Sequence, residues 1–257
     1  MSTILAGPCG DCCSRTVQHS GVARGTIEVI ANLQTYVARP HPNLEDTQLR
    51  KLKVILFFAD VFGALYINSK LAMDYWADNG YLVLGVDYFE GDSRAIHEGK
   101  PGWNVDEWVQ PYRASAAKIT SPWIEAVRDR YGGPETQFFV VGYCFGAPFV
   151  MDLLATDWVT AGAFAHPAFL DENHFRNLKQ PLLLSSPEDD FTFPHAARRR
   201  AEDILVEQHA THTVQIFSGA RHGYATRADP ELRTERWAKE ETARATLNWF
   251  EFHGNCR

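Results

Sequence analysis

The 257-residue sequence contains no apolar run approaching the roughly 20 residues that cross a bilayer, no internal repeat and no low-complexity tract. It has no excess of positive charge. Its 25 Lys and Arg stand against 32 Asp and Glu, a formal net charge of -7, which argues against a nucleic-acid or anionic-membrane partner. The one basic cluster, Arg198-Arg199-Arg200, is short and lies in a helix-like stretch, so it reads as a solvated helix face. Cysteine is scarce: the five residues are odd in number, and three crowd together at Cys9, Cys12 and Cys13. That pattern is no disulfide framework and fits a reducing, cytoplasmic compartment. The start, MSTILAGPCGDCC, lacks the charged beginning and long apolar centre of a secretory signal. No linker divides the chain, so one domain is expected, at the upper end of what one core serves.

What is present is a succession of short, continuously apolar runs: Lys53–Ala59, Tyr81–Val86, Gln137–Val141, Thr160–Ala165, Pro181–Ser185 and Thr213–Phe217. Apolar residues without alternation mark strands buried on both faces, as in a parallel sheet. Helical spacing lies between them, over Leu65–Asp78, Val109–Tyr131 (with an interruption expected near Ser121-Pro122), Ala147–Ala155, Pro194–His209 and Glu231–His253. Two short runs, Thr26–Ile30 and Gln34–Ala38, predict a hairpin. Residues 1–24 show no period and are expected to form an irregular leader on the surface. Residues 25–257 are expected to form a single α/β domain with helices on both faces of a mostly parallel sheet.

The sharpest signal is Gly142-Tyr143-Cys144-Phe145-Gly146, which follows the strand QFFVV and opens a helix. In the pattern Gly-x-nucleophile-x-Gly the nucleophile sits on a sharp strand-to-helix turn in a strained backbone conformation, and the flanking glycines leave room for it. The helix start beside the sulfur favours a thiolate. An acid and a histidine follow in the order this turn demands: Glu188-Asp189-Asp190 after the strand PLLLS, and Arg221-His222-Gly223 after TVQIF. Both loops leave the strand ends that carry Cys144, where open α/β sheets collect ligand groups. His222 is the expected base; among the three carboxylates Asp190 competes with Asp189 and Glu188. Upstream, Ala59-Asp60-Val61-Phe62-Gly63 follows KVILFFA, which nominates the Val61 and Phe145 amides as an oxyanion hole. Asp60 would either repel an oxyanion, interact with the thiol, or serve as a turn residue.

These segments resemble the dienelactone hydrolase family, in the branch with fungal members. GYCFGA is similar to its nucleophile signature, DDFTFP to its acid loop, ARHGY to its histidine loop, and FFADVFG to the segment carrying a thiol-contacting carboxylate and an oxyanion amide. The likeness runs from about Gly25 to the C-terminus. It implies an α/β-hydrolase fold without cofactor or metal, and hydrolysis of an ester or lactone through a thioester acyl-enzyme on Cys144, His222 and Asp190. The acid-loop spacing, Asp followed four positions later by Pro194, selects Asp190. Asp60 stands where bacterial members carry Glu, as a shorter thiol-modulating carboxylate. Arg94 and Arg227 are the candidates for holding a substrate carboxylate, and Trp103 and Trp108 for lining the pocket.

Three other readings remain at this stage. The same residues would serve a thioesterase that releases an acyl chain from a carrier protein or coenzyme A. A non-catalytic binding protein on the same fold is a second, and a metal site on Cys9, Cys12, Cys13 and His19 a third. The partners expected are a small ester, lactone or acyl thioester and, in the thioesterase reading, an acyl carrier protein, with the chain a monomer or homodimer.

Overall fold

A computed structural model of the chain describes residues 2–10, 16–41 and 51–255. Its core is an eight-stranded sheet. The strands in chain order are β2 (Thr26–Ile30), β3 (Leu33–Ala38), β4 (Lys53–Phe58), β5 (Leu82–Val86), β6 (Gln137–Tyr143), β7 (Ala161–Ala165), β9 (Leu182–Pro187) and β10 (His212–Phe217); two further short strands, β1 (Ile4–Ala6) and β8 (Leu170–Asp171), pair separately. Across the large sheet the order is β10-β9-β7-β6-β4-β5-β3-β2. From β10 to β5 all neighbours are parallel, and the β2–β3 hairpin joins β5 antiparallel. The chain therefore folds around a mainly parallel sheet, as its apolar runs predict, in the α/β-hydrolase form that the resemblance implies.

Those runs lack alternation because each strand feeds two cores. On β4, Val54, Leu56 and Phe58 point into one apolar layer, and Ile55 and Phe57 into the other. The first layer is closed by α2 (Val105–Tyr131), α3 (Ala147–Leu154) and α5 (His195–Glu207); the second by α1 (Ile67–Asp78) and α7 (Arg233–Gly254). Between these lie the short helices α4 (Glu172–Arg176) and α6 (Tyr224–Arg227). Helix α2 runs unbroken through Pro111 and also through Pro122, near which an interruption is expected from sequence. Its buried residues Val109, Ala116, Thr120, Trp123 and Val127 keep one helical stripe on the core, and that packing outweighs the bonds each proline removes. Trp123 belongs to this core, its indole donating to Thr35 Oγ1 at 2.8 Å.

Two other expectations are corrected. Among its described residues the leader is not an irregular surface segment throughout. β1 pairs antiparallel with β8, and Leu5, Ala6 and Cys9 are buried. A three-residue strand carries too little sequence to show a period. Nor is Arg198 solvated: it is buried, and its Nη1 donates to the carbonyls of Pro187 and Glu188 at 3.3 and 3.2 Å. It thereby fixes the chain where β9 ends.

Among the described residues no helix is long and apolar enough to cross a membrane.

Candidate active site

Parallel pairing brings the C-terminal ends of β4, β6, β7, β9 and β10 to one edge, and the loops leaving them carry Val61, Cys144, His166, Asp190 and His222. At the β6 exit Cys144 has a φ of +50°, the left-handed conformation expected of a strained elbow. Both glycines of the motif are sterically required. A Cβ on Gly142 would stand 2.5 Å from the Gly146 carbonyl oxygen, and one on Gly146 would stand 2.0 Å from the Phe58 carbonyl oxygen. The second contact presses the start of α3 against the end of β4, just ahead of the Asp60–Gly63 turn.

The sulfur, imidazole and carboxylate form a line. Cys144 Sγ lies 3.2 Å from His222 Nε2, and His222 Nδ1 lies 2.9 Å from Asp190 Oδ1. The His222 and Asp190 side chains are almost fully buried, at 2% and 0% exposure, so the pair is shielded from screening by water. Asp189 and Glu188 are exposed, which leaves Asp190 alone among the three carboxylates in contact with the imidazole. Thr192 tightens the arrangement. Its backbone N–H donates to Asp190 Oδ1 at 3.0 Å, and its hydroxyl lies 2.8 Å from that oxygen, 2.8 Å from the Pro167 carbonyl and 3.1 Å from His222 Nδ1.

Sequence reasoning overlooks three neighbours. Thr192 sits inside DDFTFP, so its position was visible but its role was not. His166, with φ +37° and its N–H on the Ser185 carbonyl, packs its ring edge-on against His222 with centroids 4.9 Å apart. Cys9 of the leader brings its sulfur to 3.5 Å from that of Cys144. Among the described residues Cys144, His166 and His222 form the one group of three metal-ligating side chains, with ligand atoms within 4.8 Å of one another. Sulfur and imidazole suit a borderline-soft ion such as Zn²⁺. An ion there would occupy the lone pairs that otherwise join Cys144 to His222, so the two uses exclude each other. For the Cys9–Cys12–Cys13–His19 metal reading, Cys12 and Cys13 lie outside the described residues. His19 is engaged elsewhere, with Nε2 2.8 Å from the Ala228 carbonyl and Nδ1 2.8 Å from Lys239 Nζ.

The loop after β4 is braced from several sides. Tyr88 donates to the Ala59 carbonyl. Burial pushes the Tyr88 phenol well above its ordinary pKa, with the charges of Asp60 and Cys144 adding to the effect, so it remains a donor. The Val61 carbonyl accepts the Arg94 N–H at 2.8 Å. Asp60 Oδ1 accepts the Phe62 N–H at 2.9 Å, and its Oδ2 accepts Thr226 Oγ1 and Arg227 Nε, each at 2.8 Å. In place of the thiol contact expected from the resemblance, the carboxylate thus ties the Val61 turn to α6. The reason is electrostatic, since a guanidinium at 2% exposure needs a buried counter-charge. Asp60→Asn is therefore expected to destabilise the fold by about 3–5 kcal/mol, the cost of stranding one buried partner. Much of that should return in Asp60→Asn/Arg227→Leu. Denaturant midpoints of the three proteins check this, and a single mutant within error of wild type would refute it.

Arg227 and Arg94 approach the same ring, their guanidinium carbons 5.1 and 5.7 Å from the centroid of Phe62. From there an aromatic wall continues: Arg94 lies over Trp103, which neighbours Trp108; Trp108 packs on Phe89, and Phe89 on Phe145. Asp92 anchors the wall, accepting from the Trp108 indole at 3.0 Å and the Tyr112 hydroxyl at 2.6 Å. Arg94, Arg227, Trp103 and Trp108 thus meet along one rim that ends at Phe145.

The profile of the dienelactone hydrolase family matches residues 33–254. A protein of Gibberella moniliformis named dienlactone hydrolase 1 is 36% identical over 255 residues, covering 97% of this chain and 95% of that protein. Hydrolase pyvD of Aspergillus violaceofuscus is 30% identical over 244 residues, covering 95% and 96%. Among solved structures, a Klebsiella pneumoniae chain described as a dienelactone hydrolase aligns with a TM-score of 0.72 at 16% identity, over 90% of this chain and 99% of that one.

Proposed function

The chain belongs to the dienelactone hydrolase family and is a hydrolase of ester or lactone bonds, and from that premise we propose that it acts on a compact substrate bearing a carboxylate, through a thioester acyl-enzyme on Cys144. The observation that carries this reading is the continuous line from Cys144 Sγ through His222 to Asp190, at 3.2 and 2.9 Å, on an elbow held at positive φ.

In this reading His222 Nε2 takes the thiol proton as sulfur attacks the carbonyl carbon. The oxyanion is met by the N–H groups of Val61 and Phe145. Collapse expels the alcohol oxygen, which takes the proton from His222; in a lactone that oxygen stays tethered to the acyl group. Water, deprotonated by the same nitrogen, then releases the acid and restores the thiol. Asp190 holds the imidazole in the tautomer that presents Nε2 to sulfur and stabilises the imidazolium.

The carboxylate preference rests on the arginines. Two buried guanidiniums share the Phe62 ring beside the Val61 turn. Burial lowers the pKa of Arg94; the charge of Glu98 opposes the shift, and that of Arg227 adds to it. An anion between the two would relieve that repulsion.

The test is a panel of lactones, aryl esters and acyl thioesters, each with and without a carboxylate. Arg94→Ala is expected to raise KM by about 10- to 100-fold for the carboxylated members, the worth of a hydrogen bond to a charged group, and to leave the neutral ones nearly unchanged. Equal losses on both would remove the carboxylate from the proposal. Faster turnover of long neutral acyl thioesters would replace it with a thioesterase.

A further inference from the structure

We propose that Cys9 and Cys144 form a paired-thiol site for hydroperoxides, in which the nucleophile is oxidised and then captured as a Cys9–Cys144 disulfide. The proposal rests on the reading of Cys144 as a nucleophile served by His222, and it assigns the leader a chemistry of its own.

Three observations carry it. The sulfurs are 3.5 Å apart and both are buried, so a bond of roughly 2 Å needs only a small rotation of the side chains. The leader is held in place by backbone bonds at the site itself. Gly7 N–H donates to the Thr192 carbonyl at 2.6 Å and the Gly7 carbonyl accepts Phe169 N–H at 2.9 Å, while β1 pairs with β8 just before them. A Cβ on Gly10 would stand 3.0 Å from the Phe191 ring, so the chain on the far side of Cys9 is also confined. Finally, the Arg113 guanidinium lies over Phe169 at 4.4 Å, the residue whose N–H bonds the leader at Gly7; burial lowers the Arg113 pKa, and interaction with Cys9 opposes that shift. Simple packing would explain a buried cysteine, but not one set sulfur-to-sulfur against the elbow by a segment held so closely.

The chemistry closes without a cofactor. The Cys144 thiolate attacks the distal oxygen of ROOH and the O–O bond breaks. The departing alkoxide takes a proton from His222 and leaves as ROH, and Cys144 becomes a sulfenic acid. The Cys9 thiolate then attacks that sulfur and the S–O bond breaks. Hydroxide leaves as water with one further proton, and the disulfide remains. Two electrons from the two thiols have reduced the hydroperoxide to alcohol and water. Two equivalents of an external thiol reverse the step by exchange. A nucleophile trapped in this way is protected from the sulfinic and sulfonic states that exchange does not repair.

The test is peptide mapping by mass spectrometry of the intact chain after an excess of hydrogen peroxide, before and after dithiothreitol, alongside hydrolytic activity on whichever ester of the panel is cleaved. In wild type a cross-linked peptide joining Cys9 to Cys144 is expected, short by two hydrogens, with activity lost and then restored by dithiothreitol. In Cys9→Ser, Cys144 should instead gain one oxygen, trappable by dimedone, and then more, with activity not restored. A disulfide to Cys12 or Cys13, or equal recovery in wild type and Cys9→Ser, would overturn the proposal. So would over-oxidation of wild-type Cys144 without any cross-link. The mapping needs no ester substrate. A Cys9–Cys144 cross-link in the wild type together with full hydrolysis in Cys144→Ala would therefore refute the hydrolytic role of Cys144 while leaving the paired-thiol chemistry standing.

Discussion

Cys144→Ala is expected to reduce hydrolysis to the level set by binding and the oxyanion amides alone, a loss of about 10⁵–10⁶-fold in kcat if the three residues act as a unit, as such sets do. The fold should survive. Alanine keeps the Cβ that the elbow already accommodates and loses one buried sulfur, at a cost of about 1–2 kcal/mol by the usual range for removing small buried groups. Single-turnover kinetics on a good aryl ester, with circular dichroism to confirm the fold, make the measurement. Retained turnover would mean that no covalent step passes through the elbow. Cys144→Ser should keep a small residue of activity, because His222 can still take a proton from the hydroxyl, though oxygen is the weaker nucleophile at its ordinary pKa.

Asp190→Asn is the second large effect, expected at about 10⁴-fold in kcat. Asparagine preserves the shape but can donate an N–H toward Nδ1. That favours the tautomer with its proton on Nε2, which cannot accept from the thiol. The adjacent Asp189→Asn is the internal control: its side chain is exposed, and a change within a few-fold is expected. A loss at Asp190 no larger than the few-fold change at Asp189 would assign the imidazole's orientation to Thr192 instead, since its hydroxyl also stands within 3.1 Å of Nδ1.

The parts legible from sequence are those written locally. The strands were readable because burial on both faces leaves no polar alternation to confuse them, as in VVGYCFG running straight from β6 into its turn. Asp190 was readable only through the likeness of DDFTFP to the family's acid loop, since the residues alone left Asp189 and Glu188 open; its burial beside those two exposed side chains agrees with that choice. Sheet order is not written locally. His166 follows β7, and it meets His222 because β7 lies inside the sheet, next to β6 and separated from β10 only by β9. Asp60 offers a similar lesson: its partner Arg227 lies 167 residues further along, so the carboxylate's use as a strut could not be read from the turn that carries it. Helix α2 defeats local reading in the opposite way, since Ser121-Pro122 signals a break that a continuous apolar stripe overrides.

The leader's attachment has a consequence for the order in which the protein is made. Ile4 pairs with Asp171, and Gly7 bonds to Thr192. Translation releases the leader first and its partners far later, so these first residues must wait with nothing to hold them while most of the sheet is synthesised. Joining ends so distant costs chain entropy that grows with the logarithm of the separation, and the three residues of β1 offer little to offset it. The residues of the elbow are thus synthesised before those that hold the leader against it. Until the loop bearing Thr192 has cleared the ribosome, the bond from Gly7 that sets Cys9 beside Cys144 has no acceptor.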